Sequence, residues 1–201
     1  HGIEQGRIAG VRFEGAVFTN LSREHMDFHG TMENYGAAKR RLFQVPGLRF
    51  AVLNGDDAYA SKIRSALSPD VRVLEYGFNV GNDIRVNSVD FDAGIQAQVH
   101  TPQGDLAIHS SLLGDFNLSN LLAVIGVGLG LGRSPQSFRH LDALTAVTGR
   151  MQMVHQPGCP MVVVDFAHTP AALEKVLLTL RPHCKGQLKV VFGCGGDRDK
   201  G

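Results

Sequence analysis

The chain has 201 residues, of which 43% are hydrophobic, so it is long enough to bury a sizeable core and is not a disordered polypeptide. Its 20 lysines and arginines balance 19 aspartates and glutamates, and a formal charge of +1 favours neither nucleic acid nor an anionic membrane as a partner. Three widely spaced cysteines without a CxxC pair fit a reducing cytoplasm, and no apolar run reaches the roughly 20 residues that span a bilayer.

The first informative stretch predicts a strand, a loop and a helix in succession. Ala16–Phe18 has the pattern of a short buried strand, and residues 20–30 are loop-like. Thr31 is placed to cap a helix that runs from about residue 32 to about residue 44. The loop therefore begins at the C-terminal end of a strand, which is where open α/β sheets place their chemistry.

Titratable side chains crowd this loop and the helix after it. His25, Asp27 and His29 are of ligand types that a divalent cation accepts, although they equally suit helix capping and hydrogen bonding in a polar loop. Lys39 would lie two turns into the helix, and a lysine in a partly desolvated site becomes nucleophilic, even toward carbon dioxide. The resulting carbamate could bind a metal. The alternative is a solvated helix face formed by residues 39–41.

The next segment predicts a parallel core with an antiparallel flank. Arg49–Leu53 is a second strand, and the turn at residues 54–57 begins a helix that ends near Leu67. Thr101–Gly104 predicts a hairpin whose glycine is available for a positive φ. The antiparallel flank is predicted from four short alternating segments, at residues 71–76, 84–91, 95–100 and 106–110.

An apolar helix is predicted from Leu113 to about Leu131, with four glycines near its end that permit close packing. Asn117 and Asn120 at its start suit simple capping and helix-end hydrogen bonding. Ser134 and Pro135 predict the start of a further helix, which ends near residue 146.

A second structural unit is predicted to begin at residue 149. Met161–Asp165 has the pattern of a buried strand, Thr169 and Pro170 predict a helix start, and residues 188–192 predict the next strand. The glycine-rich residues 193–201 suit a phosphate, but they match neither the GxGxxG spacing nor a Walker A loop.

Four motifs together resemble the Mur ligases of peptidoglycan synthesis. Within that family they resemble the enzymes that add the third amino acid to UDP-N-acetylmuramoyl-L-alanyl-D-glutamate. The similarity covers nearly all 201 residues. The matching segments are His1-Gly-x-x-Gln5-x-Arg7, Thr19–Gly30 with Tyr35-x-Ala-Ala-Lys39, Gly114-x-Phe-Asn117-x-x-Asn120, and Arg150 with Asp165–Pro170.

The resemblance implies roles at a metal and substrate site. In the family, the lysine that matches Lys39 is carbamylated, and the histidine that matches His25 helps to hold a second magnesium ion. Both residues are therefore implied as catalytic and metal-binding. Gln5 and Arg7 match positions that contact the UDP-linked peptide, and an arginine fork suits a carboxylate or a phosphate.

The resemblance also implies an ATP site. Asn117 matches the asparagine that reads adenine, and Arg150 matches a residue that meets phosphate. Asp165 matches the carboxylate that accepts the ribose hydroxyls, and His168 lies near the same site. The alternative for Asp165 is that it only caps the following helix.

The fold implied is α/β, with a mostly parallel sheet and flanking helices. Residues 1–148 would be the later part of a central ATPase domain with an antiparallel β flank, and residues 149–201 the start of a Rossmann-like C-terminal domain. In the family, the phosphate loop and a metal-binding glutamate precede the position of His1, and the motif that recognises the amino acid follows Gly201. Both ends are therefore expected to be cut, and the isolated chain is expected to be inactive.

The activity implied is ATP- and Mg²⁺-dependent formation of an amide through an acyl phosphate, by a cytoplasmic monomer. The substrates would be UDP-N-acetylmuramoyl-dipeptide and a diamino acid, with meso-diaminopimelate preferred to lysine because it is the family's commonest choice. Three alternatives remain open. They are a ligase of the folylpolyglutamate synthase type, a metal-dependent hydrolase that uses His25, Asp27 and His29, and a non-catalytic nucleotide-binding module.

Overall fold

A computed structural model describes residues 2–23, 25–92, 94–154 and 156–193. Most of the glycine-rich segment at residues 193–201 lies outside these ranges. The described residues form a six-stranded sheet, a two-stranded sheet and five α-helices. The strands of the larger sheet are β1 Gly15–Phe18, β2 Phe50–Asn54, β3 Arg72–Gly77, β4 Ile84–Asp90, β5 Ile95–His100 and β6 Leu106–Ser110. The helices are α1 Met26–His29, α2 Met32–Arg40, α3 Ala60–Arg64, α4 Asp115–Gly130 and α5 Pro170–Leu180.

The six strands lie side by side in chain order, with β1 to β4 parallel and β5 and β6 antiparallel. The predicted α/β class and the antiparallel flank are confirmed, but β3 and β4, both predicted as part of the flank, each pair in parallel with the strand before them. Antiparallel pairing begins between β4 and β5. The segment at residues 71–76 forms β3, which pairs in parallel with β2. The reason is that α3 returns the chain across the sheet before β3 begins. The hairpin between β5 and β6 is as predicted, with Gly104 at a φ of 119°.

Helix α4 packs along the sheet and supplies much of the larger core. Leu118, Leu122 and Ile125 are fully buried in this core. A side chain at Gly126 would overlap Val52, and one at Gly130 would overlap Phe50. Because the end of α4 lies over the start of β2, the helix runs opposite to the parallel strands. Its N-terminus therefore reaches the edge of the sheet where the parallel strands end.

Helix α2 matches its prediction in its start and its extent. The Thr31 hydroxyl accepts a hydrogen bond of 3.1 Å from the Asn34 N–H, and a 3-10 turn at Arg41–Gln44 completes the predicted length. Helix α3 is shorter than predicted, since it ends at Arg64. Directly after it, the Ser65 hydroxyl donates a hydrogen bond to the Ser61 carbonyl, a side-chain contact that competes with helical backbone bonding.

Two other helix predictions were wrong. Residues 20–30, predicted as loop, contain the one-turn helix α1. The predicted helix from Ser134 to residue 146 is replaced by two 3-10 turns, at Pro135–Phe138 and Leu141–Ala143. Their buried residues Phe138 and Leu141 join the larger core, so packing rather than helical hydrogen bonding sets this path. Among the described residues, no helix is both long and apolar enough to cross a membrane.

The last part of the chain pairs β7, Gln152–Val154, with β8, Val162–Val164, in an antiparallel sheet. The prediction of a buried strand here was wrong about burial, since Val162 is 52% exposed. Residues 188–192, predicted as a strand, take no regular secondary structure. Among the described residues, β8 pairs with β7 rather than with this segment. Leu113, Met151 and Leu180 form a small core that joins this part of the chain to the start of α4.

Candidate functional site

The aromatic ring of Tyr35 gathers the titratable residues of the first predicted site. The Lys39 Nζ lies 4.8 Å from the centre of this ring. The His25 ring meets it edge-on at 6.0 Å, and the His29 ring stacks on it at 4.9 Å with an angle of 27° between the planes. The structure therefore brings Lys39 and His25, predicted from the family resemblance to act together, to the same side chain.

The backbone of His25 is strained. Its φ of 56° and ψ of 32° place it in the left-handed region, which a non-glycine residue seldom adopts. The His25 carbonyl accepts hydrogen bonds from the Phe28 and His29 N–H groups, which closes the single turn of α1. Strain of about 1–3 kcal/mol per residue persists only where surrounding contacts hold it, and such residues cluster at functional sites.

Among the described residues, Asp27 and His29 lie in different surroundings and do not form part of a metal-binding cluster. Asp27 is exposed on α1, whereas His29 is buried against Tyr35. Burial lowers the pKa of His29, so its imidazole is neutral at pH 7. Within the described ranges, no three His, Cys, Asp or Glu side chains come together as a metal site. The hydrolase alternative, which needs His25, Asp27 and His29 around one ion, therefore finds no support in the arrangement.

Two side chains from the β2–α3 turn fix the loop that leads from β1 to α1. The Asn54 Nδ2 donates a hydrogen bond of 2.7 Å to the Thr19 carbonyl. The Asp57 carboxylate accepts from the Leu21 N–H at 2.9 Å and from the Tyr59 N–H at 2.8 Å. These contacts join residues about 35 positions apart, and they anchor the loop before it reaches the strained turn of α1.

A cleft of about 560 Å³ lies between the start of α4 and the last part of the chain. It is large enough for a nucleotide, because small-molecule sites typically measure about 300–1,000 Å³. Its lining includes all four residues for which the family resemblance predicts contact with ATP, namely Asn117, Arg150, Asp165 and His168. Asn20, from the loop after β1, also lines the cleft and links it along the chain to the Tyr35 cluster.

The Asp165 carboxylate is already engaged by the backbone. Its Oδ2 accepts from the Met151 N–H and its Oδ1 from the Ala167 N–H, both at 2.8 Å. The predicted alternative, capping of α5, does not describe it, because the cap of α5 is Thr169, whose hydroxyl accepts from the Ala172 N–H. Each carboxylate oxygen retains a second acceptor position, so the carboxylate can also accept ligand hydroxyls.

Phe166 organises the exposed side of the cleft. The guanidinium carbon of Arg150 lies 4.7 Å from the centre of this ring, and the His168 ring meets it edge-on at 5.2 Å. The His168 Nδ1 is also 3.0 Å from the Phe166 carbonyl. These contacts keep the arginine cation and the imidazole at the cleft.

The opposite wall of the cleft comes from α4 and α5. The Asn117 Nδ2 donates a hydrogen bond of 2.8 Å to the Leu113 carbonyl, which fixes the orientation of the amide and leaves Oδ1 as an acceptor. The Lys175 Nζ lies 5.7 Å from the centre of the Phe116 ring, and both residues line the cleft. Arg150 and Lys175 therefore both supply positive charge to the cleft lining.

Gln5 and Arg7 lie in the turns of residues 2–10, outside the lining of this cleft, and both are exposed. Their segment is tied to the Lys39 helix by Glu4, whose carboxylate meets the Arg41 guanidinium at 2.7 Å. The structure therefore places the segment that carries Gln5 and Arg7 beside the C-terminal end of α2, and neither residue lines the cleft.

Sequence reasoning gave no role to Tyr35, Phe116, Phe166, Lys175 or Asn20. Four of them, all except Lys175, lie inside the matching motifs, so their position in a motif was the available signal. An aromatic side chain is usually a core residue, and a single surface lysine carries little information. Only the folded arrangement shows that Phe166 is 61% exposed beside the cleft.

Comparison with family models matches the description "Mur ligase middle domain" to residues 1–128 and "Mur ligase, glutamate ligase domain" to residues 149–201. A UDP-N-acetylmuramoyl-L-alanyl-D-glutamate–2,6-diaminopimelate ligase of Ectopseudomonas mendocina is 48% identical over the whole chain. The corresponding ligase of Coxiella burnetii is 47% identical. In both cases the chain spans 42% of the relative's length.

Solved structures agree with these matches. A structure of a UDP-N-acetylmuramoyl-L-alanyl-D-glutamate–2,6-diaminopimelate ligase superposes with a TM-score of 0.81 and 41% identity, over 99% of this chain and 42% of the other. MurF ligase from Thermotoga maritima in complex with ADP gives a TM-score of 0.72 at 21% identity, over 89% of this chain and 41% of the other. The apo form of L. casei FPGS gives a TM-score of 0.70 at 16% identity, over 86% of this chain and 43% of the other. The last two likenesses concern the fold alone.

Proposed function

This chain belongs to the Mur ligase family, and from that premise we propose that the intact protein is an ATP-dependent ligase of peptidoglycan synthesis. It adds the third amino acid to UDP-N-acetylmuramoyl-L-alanyl-D-glutamate, as a cytoplasmic monomer. The amino acid is 2,6-diaminopimelate, which the relatives that match the whole chain carry in their names, and we take it to be the meso form. Residues 1–148 belong to its central domain and residues 149–201 to its C-terminal domain.

The observation that carries this proposal is the cleft that gathers Asn117, Arg150, Asp165 and His168. These residues come from three separate stretches of sequence and from both proposed domains. Their chemistry suits the parts of ATP: an amide for the base, a carboxylate for the ribose hydroxyls, and cations for the phosphates. A set of merely structural polar residues would have no reason to converge on one nucleotide-sized space.

The Asn117 amide is held so that it selects adenine. Its Nδ2 is bonded to the Leu113 carbonyl, so its Oδ1 accepts from the ligand. Adenine presents an amino group at C6, whereas guanine presents a carbonyl oxygen there. With GTP a carbonyl oxygen would stand where Oδ1 meets the amino group of ATP, and we expect ATP to be preferred.

The substrate carboxylate must be activated, because a carboxylate is a poor electrophile. ATP supplies the phosphoryl group that converts it to an acyl phosphate, from which the incoming amine displaces phosphate. Carboxylate and triphosphate repel each other, and bound Mg²⁺ supplies the positive charge that offsets this repulsion. Arg150 contributes fixed positive charge on the nucleotide side of the cleft.

Lys39 and His25 would hold one of the magnesium ions. A neutral Lys39 amine attacks carbon dioxide, a nitrogen–carbon bond forms, and one proton is released to leave an anionic carbamate. Its oxygens are donors of the kind that Mg²⁺ prefers, and His25, which contacts the same Tyr35 ring, would add an imidazole. Gln5 and Arg7 would contact the UDP-linked peptide.

The test is an assay of the full-length protein with the UDP-linked dipeptide, ATP, Mg²⁺ and either meso-diaminopimelate or L-lysine. We expect one new amide product and one ADP per turnover with diaminopimelate. A folate substrate with glutamate is the control for the folylpolyglutamate synthase alternative. Glutamate addition to folate without any addition to the dipeptide would contradict the proposal and favour a ligase of the folylpolyglutamate synthase type. Nucleotide binding without either product would favour a non-catalytic nucleotide-binding module.

A further inference from the structure

Tyr35 lies in the motif that ends at Lys39, but the family resemblance gives it no role. We propose that Tyr35 is a positioning residue that holds the Lys39 side chain and the His25 turn in a fixed relation to each other. The inference rests on the proposed ligase function, because it concerns the pair that would hold a magnesium ion.

The first support is helix geometry. Tyr35 and Lys39 are four residues apart on α2, so their side chains lie on the same face of the helix. The Lys39 Nζ lies over the face of the Tyr35 ring, 4.8 Å from its centre. A lysine stem has several rotatable bonds, and a neighbouring ring restricts the positions that the amine can reach.

The second support is the rigidity of the ring. Tyr35 is 5% exposed, and the buried His29 imidazole stacks on it. Ala38, on the same helix, is also buried. A tyrosine has only two side-chain torsions, so a packed tyrosine offers a nearly fixed surface. The ring can therefore act as a template for a side chain that is itself flexible.

The third support is that the ring contacts both ends of α1. His25 begins this turn and meets the ring edge-on, while His29 ends it and stacks on the ring. A four-residue helix is too short to be stable by itself. The left-handed backbone of His25 also has to be held by its surroundings. Loss of the ring would therefore release His25 and Lys39 together.

A residue that only fills the core would behave differently. Its removal would lower the free energy of unfolding, but carbamate formation at Lys39 and the magnesium requirement would not depend on the aromatic character of its replacement. A positioning ring predicts that Tyr35→Phe, which keeps the ring, preserves both properties. It also predicts that Tyr35→Leu, which removes the ring, impairs both.

The experiment uses the full-length protein and three variants, Tyr35→Phe, Tyr35→Leu and Lys62→Leu. Lys62→Leu is the matched control, because it removes a lysine that lies 5.5 Å from the ring of another tyrosine, Tyr59. Carbamate is measured as the ¹³C signal after equilibration with ¹³C-bicarbonate. The magnesium requirement is measured as the Mg²⁺ concentration that gives half of the maximal rate, and the KM for ATP is measured alongside.

We expect Tyr35→Leu to lose most of the carbamate signal and to need about 10-fold more Mg²⁺, as when a residue that orients a metal ligand is removed. Tyr35→Phe and Lys62→Leu should match the wild type, and the KM for ATP should change in none of them. If Tyr35→Leu does not fold, Tyr35→Met replaces it as a non-aromatic side chain that adapts to irregular space.

Wild-type carbamate and magnesium dependence in the folded non-aromatic variant would overturn the inference. Equal losses in Tyr35→Phe and Tyr35→Leu would also overturn it, because the effect would then belong to the hydroxyl group. Failure of the ligase proposal is distinguishable, because in that case the wild-type protein itself would form no amide product.

Discussion

The Asp165 carboxylate accepts a hydrogen bond of 2.8 Å from the backbone N–H of Met151, which is buried and has a left-handed φ of 45°. A non-glycine residue in this conformation costs about 1–2 kcal/mol. The contact joins the residue directly before β7 to the residue directly after β8. Asp165 therefore stabilises the wall of the cleft in addition to its proposed contact with the ribose.

Asp165→Asn separates these two roles. An amide has one acceptor oxygen and cannot accept both backbone N–H groups as the carboxylate does, so one buried donor loses its partner. We expect the free energy of unfolding to fall by about 1–3 kcal/mol. We also expect the KM for ATP to rise about 10-fold, because the variant would lose one hydrogen bond to the ligand. Denaturant unfolding and initial rates measure the two effects.

The control for this prediction is Asp70→Asn, an exposed turn residue outside the cleft lining. It should leave both quantities unchanged. An Asp165→Asn protein with normal stability and a raised KM would assign the carboxylate to the ligand alone. The reverse result would make it a purely structural residue.

Lys39→Ala in the intact protein should abolish nearly all ligation while the fold survives. The lysine is only partly buried, and its loss removes the proposed carbamate rather than a core contact. We expect kcat to fall about 1,000-fold, which is the upper end of the range seen when one group that stabilises transition-state charge is removed. Amide formation and thermal unfolding are the measurements. Lys62→Ala is the control, and full activity in Lys39→Ala would reduce Lys39 to a surface residue.

Phe166→Leu should weaken nucleotide binding without destabilising the protein. The ring is 61% exposed and holds the Arg150 guanidinium at 4.7 Å, so its removal frees the cation but opens no cavity. An exposed cation–π contact contributes about 0.5–1 kcal/mol, which corresponds to a 2- to 5-fold rise in the KM for ATP. Phe78→Leu, at another exposed phenylalanine, should have no effect. Equal KM changes in both variants would contradict the contact's role.

Gly130→Ala should destabilise the junction between α4 and β2. An added methyl group would overlap the ring of Phe50, which is buried and cannot easily move. Overpacking costs about 1–3 kcal/mol, and the better helix propensity of alanine offsets part of it. Gly81→Ala is the matched control, because its new methyl group meets no atom of the described residues within 4 Å. Denaturant unfolding of both variants gives the comparison, and equal stabilities would exclude the clash.

Alkaline pH should weaken the fold through Tyr76. Burial raises the pKa of Tyr76 to about 12 from its ordinary value of 10.0, and its hydroxyl lies 3.4 Å from the Phe18 carbonyl. The native state therefore keeps the phenol proton after the unfolded state has lost it. The stabilising contribution is complete below pH 10 and is lost as the pH rises toward 12.

Tyr76→Phe has no such proton, so its free energy of unfolding should fall less steeply over this range. The measurement is denaturant unfolding of both proteins at several pH values, with the difference between the two curves as the result. Lysine and arginine titration affects both proteins equally. Parallel curves would show that the Tyr76 pKa is not raised in the folded state.

Much of the fold could be predicted because its signals are local. Thr31 caps α2 and Thr169 caps α5 as expected, since capping depends on one side chain and the next few N–H groups. The hairpin at Thr101–Gly104 was likewise predictable from its turn chemistry. The parallel pairing of β3 and the irregular path of residues 188–192 were not predictable, because a strand depends on which neighbour supplies its hydrogen bonds.

The candidate site divides in the same way. Motifs identified Asn117, Arg150, Asp165 and His168 as residues of one kind of site, and the structure places them around one cleft. Their individual roles, and those of Gln5, Arg7, His25 and Lys39, stay predictions. The contact of Tyr35 with Lys39 follows from their four-residue spacing on α2, but its contacts with His25 and His29 have no counterpart in sequence spacing, because they depend on how α1 folds back onto α2.

By itself, the amino-acid sequence determined the α/β class, the capped helices and the family, because these follow from residue types at short and regular spacings. Only the tertiary structure decided which side chains share a cleft and which aromatic rings hold the cations beside it. The physical reason is that such contacts join residues far apart in the chain, and their geometry is set by packing of the whole sheet and its helices.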